Sequence, residues 1–247
     1  MKKLATLIIF LATTFAAVQA QTKYISSGKV YYERRINQLR VIEEEEENSW
    51  TAEMKKIYPR FVNDNFVLAF NTERSVFRLE KENLQNKYLW GTKPSEDEVT
   101  VQQLTQNRVA IQREVFEQTY LITDSSRNLE WVITGETREI AGYECRKAVT
   151  RICDSVYVVA FYTDDILVSS GPESFGGLPG MILGLAIPRM YATWFATRVE
   201  FANPTTTELN PKQKGKKVSW AQLNTELGKA LKDWGKYGAK NIWKASL

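Results

Sequence analysis

Three carboxylates attract attention first: Asp164 and Asp165 side by side, and Glu173 a few residues on, inside the segment Gly171-Pro-Glu-Ser-Phe-Gly-Gly-Leu-Pro-Gly180. Carboxylates brought together can do acid–base work or hold a cation. Adjacent residues on a strand point to opposite faces, however, so Asp164 and Asp165 are not a ready pair and also read as turn residues at a strand end. Ser174 sits in no Gly-x-Ser-x-Gly elbow, and the chain contains no histidine to activate it. A Ser-His-Asp triad, a Cys-His dyad and a histidine-ligated metal are therefore excluded by counting. The run Glu43–Glu47 lacks the spaced Asp/Asn/Gly pattern of a calcium loop and reads as a solvated loop. From these residues no metal, no cofactor and no enzymatic activity are expected.

The glycine- and proline-rich segment is not a phosphate loop, because no Gly-Lys-Ser/Thr ending follows and its neighbours are apolar. Gly171, Gly176, Gly177 and Gly180 permit backbone conformations barred to other residues, while Pro172 and Pro179 fix theirs. A specified bend results, presenting Phe175, Leu178 and Met181 at set angles, with Phe161 on the strand before it. One reading makes it a structural corner; the other makes these four apolar residues the rim or plug of a ligand or partner site. Gly180 after Pro179 fits a type II turn with positive φ.

The elements that must position this bend are mostly strands. The 247 residues are 43% hydrophobic and 25% charged, enough for one substantial core and unlike a disordered chain. Strand patterns run over Gly28–Leu39, two segments within Phe61–Leu79, Arg108–Val115, Glu117–Thr123, Leu129–Thr134, Ile140–Ile152, Val156–Thr163, Met181–Ile187 and Tyr191–Phe201. Short strands in succession, without crossover helices, predict an antiparallel sheet of eight to ten strands. Trp50, Met54 and Ile57 fall at helical spacing after Ser49, predicting a short helix that covers a sheet face. Residues 81–105 read as a long polar loop.

Lys2 and Lys3, the apolar run Leu4–Val18 and the small residues before Ala20 predict a cleaved signal peptide over 1–20. The mature domain, 21–247, is then exported to the periplasm or outer membrane, soluble after cleavage. If Tyr143–Ile152 is one strand, Cys145 and Cys153 lie roughly 26 Å apart, too far for a disulfide. Residues 211–247 contain nine lysines and two acids. In this basic tail Ser219 and Gln222 have capping-box spacing, and Trp220, Leu223, Leu227, Leu231 and Trp234 share one helical face. The tail can pack on the sheet, contact an anionic membrane surface or dock on a partner. Export and near-neutral mature charge argue against nucleic acid.

The words Trp131-x-x-Thr134, Ile140-x-Gly-Tyr-x-Cys145-x-Lys-Ala148, Phe161-Tyr-Thr163, Gly171-Pro172 and Phe175-Gly-Gly-Leu-Pro-Gly-Met-Ile-Leu183 resemble the GLPGLI family of exported Bacteroidota proteins. The resemblance is close over 131–187 and implies no reaction, cofactor or catalytic residue. It does imply a mainly β fold: a single curved antiparallel sheet similar to LolA-type half-barrels, with one or two covering helices. The function expected from it is non-enzymatic binding of an apolar ligand, lipid or lipoprotein segment in a concave sheet. The alternative is an interaction subunit of an envelope complex that holds no small ligand.

Overall fold

The computed structural model describes residues 24–45, 47–153 and 155–245, and the side chains of all of these except Lys236, Tyr237 and Ala239. The predicted signal peptide lies outside the described residues. Twelve strands are present among the described residues: β1 (Gly28–Asn37), β2 (Phe61–Phe70), β3 (Arg74–Lys81), β4 (Val99–Gln103), β5 (Arg108–Val115), β6 (Gln118–Ser125), β7 (Val132–Ile140), β8 (Tyr143–Ile152), β9 (Val156–Thr163), β10 (Met181–Ile187), β11 (Ala192–Glu200) and β12 (Lys216–Val218). They form one open sheet in the order β12-β6-β5-β4-β3-β2-β1-β11-β10-β9-β8-β7. Twelve strands exceed the eight to ten expected, because β4 lies inside the presumed loop 81–105 and β12 is only three residues long. All neighbours pair antiparallel except β12, which runs parallel to β6.

The connection between β6 and β7 forces the sheet to curl. These strands are ten lateral steps apart, roughly 48 Å along a flat sheet at strand spacing. Only residues 126–131 join them, a stretch that reaches at most about 25 Å. The sheet must therefore bend until its two ends approach, and the connecting chain crosses the mouth of the resulting bowl.

The inner face carries the main core. Val30, Tyr32 and Ile36 alternate inward on β1 opposite Leu68, Phe66 and Val62 on β2. Phe77, Tyr162, Ile182, Leu185 and Trp194 continue the layer. Tyr32 donates its buried hydroxyl to the Ile182 carbonyl at 2.7 Å, satisfying the polar end of an otherwise apolar side chain.

Five α-helices are present among the described residues: α1 (Gln38–Glu43), α2 (Ser49–Ile57), α3 (Thr206–Leu209), α4 (Trp220–Ala230) and α5 (Gly235–Ala245). None is long and apolar enough to cross a membrane. Asn48, rather than Ser49, caps α2 through a capping box with Thr51. The expectation that α2 covers a sheet face is corrected: Trp50 is 61% exposed and Ile57 is exposed too, with only Thr51 buried. In the tail, Ser219 and Gln222 form the expected capping box, and Leu223, Leu227 and Leu231 pack on Val109, Ile111, Tyr120 and Ile122. Trp243 of α5 reaches the main core, so the chain's own C-terminal helices cover part of the inner face.

Candidate functional site

Two segments fold over the inner face: 82–98, between β3 and β4, and 164–180, between β9 and β10. Beneath them the alternating apolar pattern is interrupted by charge. On β1 the inward positions run Val30, Tyr32, Arg34, Ile36, and on β2 Val62, Asp64, Phe66, Leu68, with Arg34 directly opposite Asp64. On β5 they run Val109, Ile111, Arg113.

Arg34 donates to Asp64 Oδ2 at 2.7 Å and to the Thr92 carbonyl at 2.9 Å. Asp64 is 1% exposed, a burial that an ionised carboxylate tolerates only when fully hydrogen-bonded. Its other oxygen accepts from Asn86 at 3.2 Å and from the Tyr88 hydroxyl. Burial and the Asp64 hydrogen bond push the Tyr88 phenol up to about 12, so it remains a donor. Gln38, wholly buried, accepts from the Leu89 amide and the Thr92 hydroxyl and donates to the Pro59 and Lys87 carbonyls.

The second group centres on Arg113, whose guanidinium lies 3.3 Å from Glu98 and 2.9 Å from Glu173. Burial opposes its charge, but the two carboxylates outweigh burial and hold its pKa above the ordinary arginine value. Glu98 moves the other way from most ion-paired acids. Burial and the neighbouring Glu173 charge push its carboxyl up, more than Arg113 pulls it down. Arg127, on the chain that crosses the mouth, is lowered to about 10 by burial and by the charge of Arg113. Arg34 also acts on Glu98, so the two groups are one electrostatic centre. A carboxyl that keeps its proton longer than usual, beside a second carboxylate fixed by arginine, can exchange protons with a bound polar group. The same groups offer donors and acceptors to hydroxyls and amides.

The bend supplies one side of this centre. Glu173 adopts φ +57°, and Gly177 and Gly180 have φ +86° and +149°. A Cβ on Gly180 would sit 2.0 Å from the Thr163 carbonyl oxygen, so the expected glycine requirement is met by close backbone approach as well as by φ. Trp131 donates to the Gly176 carbonyl at 2.9 Å, and Gln102, Ser170 and Ser75 form a buried hydrogen-bond chain from the bend to β3 and β4.

Phe175, Leu178 and Met181 are buried in the main core, and Phe161 is half-buried against Phe195. In this packing the first three form part of the interior rather than an open rim. Asp164 pairs with Arg146 at 3.3 Å, whereas Glu173 pairs with Arg113, so these two predicted carboxylates engage different partners. Arg34, Asp64, Glu98 and Arg113 were missed by the sequence reading. For three of them a charge in an inward register position was the available signal. Among the described residues no group of three or more acidic or cysteine side chains is placed to hold a metal ion.

An open, strongly curved β-sheet with a charged centre under two crossing loops defines the class of domain. The family model of the N-glycanase peptide, N-terminal domain, matches residues 54–221, well over half the chain. The chain belongs to that family. The expectation of no enzymatic activity is thereby corrected, because the matching family model is that of an N-glycanase N-terminal domain. Two solved structures of PNGF-II share the fold. In one the identity is 19%, covering 78% of this chain and 32% of the other, with a TM-score of 0.51. In the second the values are 16%, 88%, 33% and 0.52. This chain thus spans about a third of the length of those proteins. An uncharacterised conserved protein from Thermus thermophilus is 9% identical, covering 84% of this chain and 99% of the other, with a TM-score of 0.40. No curated protein matches by sequence.

Proposed function

We propose that this chain works in the removal of nitrogen-linked sugar chains, as the part of an N-glycanase-type enzyme that engages the glycosylated polypeptide. The family match carries this reading, since residues 54–221 include both segments that build the charged centre. Glu98, Glu173 and Arg113 supply fixed acceptors and donors of the kind that sugar hydroxyls and the linking amide require, and Glu98 can keep a proton where a free glutamate loses it. The signal-like sequence of residues 1–20 supports action outside the cytoplasm, where glycosylated substrates are met.

The LolA-type reading enters as a second proposal, supported by the curved sheet with helices on its inner side. An apolar ligand there would have to displace Leu223, Leu227 and Trp243 from the inner face. Hydrogen exchange separates the two. An N-glycosylated protein should protect amides in 82–98 and 164–180 and leave 220–245 unchanged, whereas an apolar ligand that opens the bowl should deprotect 220–245. Absence of protection in both loops would refute the glycoprotein reading.

A further inference from the structure

The two most exposed large apolar side chains in the described residues, Leu84 at 86% and Trp90 at 78%, lie on the single segment 82–98. Exposure of this degree usually accompanies a loose loop, but the backbone here is pinned. The Thr92 amide donates to the Leu89 carbonyl at 3.0 Å, and Gly91 has φ +75° while Trp90 does not have positive φ. This is a type II turn with Trp90 at its second position and glycine at its third. Both ends are buried and held from below: the Gln38 side-chain oxygen accepts from the Leu89 amide and the Thr92 hydroxyl, and Arg34 donates to the Thr92 carbonyl. The indole is therefore held out into solvent by a rigid mount. A Cβ added at Gly91 meets nothing within 4 Å, so the crest of the turn is open.

We infer that Trp90 is a stacking platform for a sugar ring of the glycosylated substrate, an assignment that rests on the glycoprotein reading above. A partner recognised through burial alone would be met by a contiguous apolar patch. Here the segment that carries Leu84 and Trp90 also carries Glu82 paired with Lys93 at 2.5 Å, together with Glu96 and Asp97, so the indole projects from a segment rich in hydrogen-bonding groups. A pyranose has the matching chemistry, with polarised C–H groups on its face and hydroxyls around its edge. Arg34 connects the mount to the charged centre, because the guanidinium that holds Thr92 also holds Asp64 and acts on Glu98. A ring stacked on Trp90 would lie at the edge of that centre. Gln38, Arg34 and Asp64 are then positioning residues for the platform.

The test uses a synthetic peptide bearing an asparagine-linked oligosaccharide and the same peptide without sugar, titrated into the full mature chain and its variants by calorimetry. Trp90→Ala should weaken binding of the glycopeptide about tenfold, the scale of one stacking contact with its buried area, while Trp90→Phe should retain most of it. Binding of the bare peptide should be the same in both variants as in wild type, and Trp50→Ala, on the exposed face of α2, should leave glycopeptide binding unchanged. The melting temperature of Trp90→Ala should match wild type, since the buried mount is untouched. Unaltered glycopeptide binding by Trp90→Ala, or an equal loss towards the bare peptide, would overturn the platform while leaving the glycoprotein reading in place. If the wild-type chain binds both peptides equally or neither, that reading fails and the platform falls with it.

Discussion

The Arg113 guanidinium on β5 donates to the Glu173 carboxylate at 2.9 Å, fastening one half of the sheet to the bend that leads into β10 in the other half. Glu98 completes the arrangement from the residue before β4. Removing the arginine would leave two half-buried acids facing each other without a cation. Arg113→Leu is expected to destabilise the chain by about 2–3 kcal/mol, less than the roughly 3–5 kcal/mol of orphaning one side of a fully buried ion pair because these side chains keep some contact with water. Adding Glu98→Gln and Glu173→Gln to that variant should recover much of the loss. Denaturant unfolding of the single and triple variants measures both.

Two carboxylates should give opposite pH dependences. Glu208 of α3 is lowered to about 2 by its hydrogen bonds from Lys29 and Thr205, so its contribution is present above pH 4.5 and disappears as pH falls towards 2. Glu98 is raised, so the folded state holds its proton more tightly than the unfolded chain and stability is lost as pH rises past 4.5. Relative to wild type, Glu208→Gln should lose its disadvantage in acid, and Glu98→Gln should gain as pH rises from 4.5 towards neutrality. Unfolding midpoints across pH report both, and added salt should shrink the partly exposed Glu208 effect more.

Gly180→Val should damage folding far more than Ser174→Ala. The valine Cβ would meet the Thr163 carbonyl oxygen at 2.0 Å, and no rotamer relieves a backbone clash. Ser174 is buried, so losing its hydroxyl should cost about 1 kcal/mol. Expression as folded protein and melting temperature discriminate the pair.

Cys145 is buried and its thiol is pushed up to about 12 by burial, whereas Cys153 is exposed at the β8–β9 turn, and neither is in a disulfide. Thiol reagents should modify Cys153 in the native chain and reach Cys145 only after unfolding. Intact-mass measurement after timed labelling should show one adduct, then two in denaturant.

Most strands were legible because burial on one face imposes period-two alternation, as Val30, Tyr32 and Ile36 show. The same alternation makes Arg34, Asp64 and Arg113 conspicuous once it is used to ask which polar residues stand at inward positions, and here those exceptions are the site. Glu98 was not legible in that way, because the polar stretch before β4 gives no periodic frame to violate. The strong curl of the sheet depends on β1 pairing with β11 and on the short 126–131 connection, which local pattern does not encode. Helical spacing identified the apolar face of α2 but could not say whether anything packs on it, and Trp50 stands in solvent. The helical face expected in the tail is buried at Leu223, Leu227 and Leu231, whereas Trp234 turns outward onto Phe116 at 5.6 Å.

The charged centre and its two covering segments are proposed to engage a glycosylated polypeptide. Calorimetric titration of the chain with one N-glycosylated protein, before and after its sugars have been removed, tests this. Saturable binding to the glycosylated form, weakened by Arg113→Leu combined with Glu98→Gln and Glu173→Gln, is expected, with little binding to the stripped form. Equal affinity for the two forms, or binding indifferent to those three substitutions, would contradict it.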